Sequence, residues 1–231
     1  MIDINKIIVM VAPLLLAVSA HEAAHGLAAY RMGDDTAARA GRITLNPIRH
    51  LDPFGSVLLP LLLAISGAPF IIGYAKPVPV NFARLTNWKK GTVVVSAAGI
   101  CANLCLLAIS GIAFRILFAM GRNITADSLW AFPLVELLLL LGYSVIINAI
   151  LAVFNMIPIP PLDGSKIIGV FLPPQFRKLF AYIERFGIIL VIFLLILKAD
   201  LLFKIIMFFI APLIGIALGG GGIDFIGRHM G

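Results

Sequence analysis

Residues 21–25 read H-E-A-A-H, two histidines four positions apart with a glutamate after the first. On an α-helix this spacing sets His21 and His25 one turn apart on one face, so both imidazoles can reach a single Zn²⁺ ion. Glu22 projects about 100° round the helix from His21, close enough to act on a metal-bound water without being a ligand. Zinc lowers the pKa of such a water from ~15.7 toward about 7, and a carboxylate base completes the nucleophile. The chemistry so encoded is metal-assisted hydrolysis. A chance five-residue match without metal is the competing reading. The setting weakens it, because the pattern lies inside an apolar run where three polar side chains are costly and few structural roles need them.

Catalytic zinc takes three protein ligands and keeps a fourth position open. The remaining histidines are His50 and His229, and most of the 11 acidic residues fall in polar loops or near the termini. Asp163 is different. It closes the string F-N-M-I-P-I-P-P-L-D-G directly after an apolar run. Pro158, Pro160 and Pro161 forbid regular helix there, and non-helical backbone at membrane depth must line a cavity or be buried in protein. An extended strand carrying Asn155 and Asp163 reads either as the wall of a site or as an ordinary Pro-rich helix exit.

The elements that must carry these residues belong to lipid. Of the 231 residues 61% are hydrophobic and only 13% charged, far from the balance of a soluble domain. Those figures also exclude intrinsic disorder, and two cysteines exclude a disulfide-stapled module. Apolar stretches occupy roughly 7–29, 54–73, 91–120, 133–157, 186–197 and 201–218. The first, third and fourth are long enough to cross a membrane. The fifth is short and spans only if it extends back through Arg185 and Glu184. The sequence therefore predicts an all-α polytopic membrane protein. It has about five to six transmembrane helices, a re-entrant or membrane-associated segment near 42–73, and a non-helical Pro-rich strand near 155–163. Residues 1–218 form one integral membrane domain and 219–231 a Gly-rich C-terminal tail. The segment L-L-L-A-V-S-A at 14–20 imitates a signal-peptide core, but its leading M-I-D-I-N-K is a weak n-region, so the segment is read as retained.

Taken together, H-E-A-A-H in an early membrane helix and N-M-I-P-I-P-P-L-D-G after a later one resemble the site-2 protease family of intramembrane zinc metalloproteases. Further matches are R-I-T-L-N-P-I-R-H-L-D-P-F-G-S at 42–56, K-P-V-P-V-N at 76–81 and G-I-C-A-N at 99–103, in the family's order. The resemblance implies one zinc per chain, held by His21, His25 and Asp163, with Glu22 as general base. It implies that Asn155, with Asn103, contacts substrate backbone or the developing oxyanion. The implied partners are a membrane-embedded protein substrate and the bilayer. Ile100 departs from the family, which often has Pro after the Gly. The chain has no room for PDZ or CBS domains and reads as a compact, core-only member.

Other residues keep two readings at this stage. Asn103 is a helix-to-helix hydrogen bond or a substrate contact. His50 and Asp52 are a second layer behind the metal or a loop cap. Cys101 and Cys105, one turn apart on a small-residue face with Ala98, Gly99 and Ala102, read as packing. Asn148 reads as a bond to a neighbouring helix, and His229 as chemically idle. A metal-binding membrane transporter or scaffold without protease activity is the alternative function. It would need polar residues on several helices, and the apolar runs after residue 104 offer few.

Charge gives an independent argument. The net charge of +7 comes from 18 Lys and Arg. If 54–73 does not cross, the N-terminus is outside and the last two stretches form a spanning pair, 13 of these fall on one side and five on the other. If every stretch crosses, they divide 10 to 8. The positive-inside rule therefore favours a non-crossing 54–73, which also makes the helices leading to His25 and Asp163 run the same way. The expectation is a cell (plasma) membrane protein whose active site opens toward the cytoplasm. The basic excess is an orientation signal, so no nucleic acid is implied, and oligomeric state is not encoded legibly.

Overall fold

The computed structural model describes residues 4–58, 61, 62, 65, 73–121, 128–184 and 186–230. Within these the chain is all-helical, as expected. Helix α1 runs Ile4–Arg31, the single turn α2 Thr36–Arg39, α3 Trp88–Gly121, α4 Ala131–Met156, α5 Asp163–Gly169, α6 Pro174–Glu184 and α7 Gly187–Met230. Among the described residues four helices are long and apolar enough to cross a membrane: Val9–Arg31, α3, α4 and Phe203–His229. Four of the expected five to six spans are thus accounted for among the described residues. The runs 186–197 and 201–218, expected as a spanning pair, share the single helix α7, because nothing between Lys198 and Lys204 breaks a helix.

The contacts divide the chain into two units, Val18–Gly99 and the remainder. In the first, α1 ends at a glycine. Gly33 has φ +100°, its N–H donates to the Tyr30 carbonyl, and the Asp34 N–H reaches back to the Ala29 carbonyl. This paired bonding satisfies the last helical carbonyls, and the left-handed φ favours glycine. The buried Asp34 carboxylate then accepts from the Thr36 N–H and hydroxyl and from the Asn81 N–H at 2.6 Å. It thereby ties the end of α1 to the 76–81 segment. Asn87 caps α3, its side chain accepting from the Lys90 N–H. Ala29, Leu85 and Val95 form the apolar centre.

Residues 42–58, expected as part of a membrane-associated segment, comprise a short 3-10 turn at Pro47–His50 and a π-turn at Pro53–Leu58. The break expected at Ser66 to Pro69 lies outside the described residues.

In the second unit α4 packs along α7 around Phe114, Leu138, Val145, Ile210, Leu218 and Ile226. Gly111 faces Ala217, Gly142 faces Ile226 and Gly222 faces Phe114, each at a distance a Cβ would close. Small residues are how membrane helices approach closely. For this reason the Gly-rich stretch 219–231, expected as a tail, is instead the helical end of α7 through Met230, with Gly222 and Ile226 buried. A buried polar ladder crosses this unit. Asn103 donates to the Ala17 carbonyl and to Asn148, Asn148 donates to the Ser144 carbonyl, and Ser144 and Ser110 share a bond of 2.8 Å.

The expected strand at 155–163 is not a strand. Helix α4 continues through Asn155 to Met156, the prolines make a turn at 157–162, and α5 begins at Asp163 itself. Ile157 precedes Pro158 and is extended (φ −63°, ψ 131°), the conformation that proline imposes on its predecessor. Gly164 is needed because the Met156 carbonyl passes 2.2 Å from where its Cβ would be.

Candidate metal centre

Helix α1 presents His21 and His25 on one buried face, their Nε2 atoms 3.0 Å apart. His25 Nδ1 lies 2.7 Å from the Val95 carbonyl of α3. A carbonyl only accepts, so Nδ1 carries the proton and Nε2 presents its lone pair toward His21. A backbone carbonyl behind a ligand histidine fixes tautomer and ring orientation in this way. Gly99, one turn further along α3, floors the pair: a Cβ there would fall 2.5 Å from His25 Nε2 and 2.6 Å from His21 Cε1.

These features fit zinc. Two nitrogens bound tetrahedrally at ~2.0–2.1 Å stand about 3.3 Å apart, close to the spacing found. The space the ion needs beside the rings is the space a side chain at 99 would take.

Glu22 reaches the 76–81 segment, where the Val78 N–H donates to its Oε2 at 2.7 Å. The close approach has a cause one turn along α1. Gly26 shares the Glu22 face, and a Cβ on it would press on Ala37, Ile43 and Val78 at 3.1–3.2 Å.

The other predicted residues divide. Asp163 is buried at the first position of α5, with Lys166 Nζ 3.3 Å from its Oδ1. Asn155 is half-buried in the last turn of α4 and donates to the Leu151 carbonyl. Asn103 is fully buried and donates to the Ala17 carbonyl and to Asn148. Asp52 caps the π-turn, accepting from the Phe54 and Gly55 N–H groups at 3.0 and 2.7 Å. His50 is buried, its Nε2 2.8 Å from the Thr44 carbonyl and its own carbonyl accepting from the Lys76 N–H. Asp52 thus acts within the 42–58 segment, and His50 also ties that segment to Lys76.

The model of peptidase family M50 matches residues 123–197, a stretch that contains Asn155 and Asp163. A Bacillus subtilis (strain 168) protein named "Putative zinc metalloprotease YwhC" is 37% identical over 180 residues, which span 78% of this chain and 76% of that protein. The chain belongs to peptidase family M50. Proteins named "Putative zinc metalloprotease Rip2" are similar at lower identity. The Mycobacterium tuberculosis one is 30% identical over 189 residues, 81% of this chain and 67% of its own. The Mycolicibacterium smegmatis one is 29% identical over 196 residues, 85% and 70%. No solved structure matches the chain.

For a member of family M50, the side chains of the site were open to sequence reasoning and the backbone groups were not. The Val95 carbonyl and the Val78 N–H carry no residue signature. Gly99 was visible only as one of several small residues. The Pro-Val-Pro at 77–79 was the available sign of Val78, since it leaves a single N–H in three residues.

Proposed function

We propose that this member of family M50 is an intramembrane zinc metalloprotease that hydrolyses peptide bonds within or beside transmembrane segments of membrane proteins. The observation that carries the reading is the paired His21 and His25 nitrogens over Gly99, with Glu22 on the next face of the same apolar helix. His21 and His25 hold one zinc, and Asp163 is the third ligand, a buried carboxylate at the place in the chain where the family resemblance implies one. Zinc, when bound, supplies Lewis acidity that acidifies the attacking water and polarises the scissile carbonyl.

Glu22 does the proton work. One carboxylate oxygen is held by Val78, and the other takes a proton from the attacking water as the new C–O bond forms. Glu22 then delivers that proton to the amine nitrogen as the C–N bond breaks. Val95 holds the His25 ring, and Gly99 keeps the floor open. Asn155 has an amide hydrogen beyond the one given to Leu151, and that hydrogen contacts substrate backbone or the developing oxyanion. The basic residues favour a cytoplasmic opening of the site from the cell membrane.

Glu22→Gln tests the assignment. The purified full chain should retain one zinc yet lose cleavage of a model membrane substrate by about 10²–10⁴-fold. Unchanged turnover with zinc bound would overturn it.

A further inference from the structure

Of the sequence stretches that resemble the family, R-I-T-L-N-P from residue 42 has no part in the chemistry so far, and K-P-V-P-V-N from residue 76 supplies only the Val78 N–H. They meet at one side chain. Arg42 is buried, 8% exposed, and its terminal nitrogen donates to the Lys76 carbonyl at 2.7 Å and to the Pro77 carbonyl at 3.4 Å. Among the described residues Arg42 forms no ion pair, and its Nε has no partner. A buried guanidinium without a carboxylate is expensive, and an apolar side chain could fill the same space more cheaply. Its presence calls for a function of the charge or of the fork.

The next peptide unit supplies that function. Pro77 and Pro79 have no N–H, so Val78 offers the single donor of the triplet, and that donor is on Glu22. The segment is otherwise anchored at a distance, by Lys76 to His50 and by Asn81 to Asp34. Among the described residues Arg42 grips the two carbonyls immediately before the Val78 amide.

We infer that Arg42 is a positioning residue for the general base: by holding the Lys76 and Pro77 carbonyls it fixes the Val78 N–H on one oxygen of Glu22 and so aims the other oxygen at the attacking water. The inference rests on the proposed role of Glu22. It assigns no contact between Arg42 and substrate. Arg42 should therefore act on turnover, and only through Glu22.

The test uses the purified full chain with a membrane-protein substrate, with zinc content, kcat and KM measured separately. Arg42→Ala is expected to lower kcat by about 10- to 100-fold, with zinc near one per chain and KM within about twofold. Arg42→Lys, which can still reach one carbonyl, should recover part of the loss. Val78→Pro removes the donor and leaves Arg42 in place. It should reproduce the kcat loss, and it decides the matter if Arg42→Ala fails to fold. In the Glu22→Gln background Arg42→Ala should cost nothing further, because residues that act through one another are not additive. A purely structural Arg42 would instead lower zinc content or remain costly in that background, and either result overturns the inference. So does an Arg42→Ala or Val78→Pro protein with unchanged kcat. If Glu22→Gln itself stays active, the proposed mechanism fails first, and the two failures are distinguishable.

Discussion

Gly99 is the residue at which local geometry and the proposed chemistry meet most directly, since a side chain there would fill the space against the proposed ligands His21 and His25. A methyl group at 2.5 Å from His25 Nε2 cannot be relieved by rotating a long side chain, because both imidazoles are buried and His25 is pinned through Nδ1. Gly99→Ala should therefore weaken zinc binding by about 10–100-fold, the range seen when groups behind a ligand are disturbed. Competition with a chromophoric chelator reads this directly, and an unaltered affinity would refute the packing argument. At this scale the H-E-A-A-H residues were legible because helix periodicity converts a spacing of four into one face. The fold adds the reason that the face is usable, a missing Cβ and an α3 carbonyl that also accepts from His25. Neither is written as a polar residue.

At the scale of elements, the unit around α1 depends on a buried anion outside the membrane span. Burial pushes the Asp34 carboxyl up, but the Thr36 hydroxyl, the Asn81 and Thr36 N–H groups and the Arg84 charge together outweigh it and hold its pKa below the usual carboxylate value. A depressed pKa means that the stabilisation is fully present above the unfolded pKa of about 3.9 and is lost as pH falls through the lower folded value. Asp34→Asn should thus cost about 1–3 kcal/mol at pH near 7, as charge-assisted bonds to a buried group are lost. The gap between variant and wild type should close as the pH is lowered well below 4. Thermal unfolding in detergent at the two pH values measures it, and a gap independent of pH would refute the assignment. Asp34 carries no motif, so its role was invisible in sequence. The Pro-rich run was visible but misjudged as a strand. Three prolines exclude helix over 157–162 only, and Asp163 is free to start the next helix because the first turn needs no intrahelical N–H bond. The C-terminal glycines misled in the same way, since glycine in a membrane helix serves close packing as readily as flexibility.

At the scale of the molecule, the merging of the last two apolar runs into α7 changes the membrane path, and the charges judge between the alternatives. Let α1, α3, α4 and Phe203–His229 cross in turn from an outside N-terminus. The basic residues then divide 14 to four, with only Lys6, Arg115, Arg122 and Arg228 outside. A spanning pair in the same region gives 13 to five, with Arg228 inside. The bias is steep either way, and the positive-inside rule favours the proposed outside N-terminus. The two paths differ at Lys198, Lys204 and Arg228. With Cys101 and Cys105 replaced by alanine, single cysteines at positions 39, 122, 178 and 228 can be treated in intact cells with a membrane-impermeant maleimide. Positions 122 and 228 should label from outside, and 39 and 178 only after permeabilisation. Protection of 228 alone would restore the spanning pair and leave the site's orientation intact. Labelling of 39 and 178 in intact cells would turn the whole molecule over and remove the cytoplasmic opening proposed for its active site.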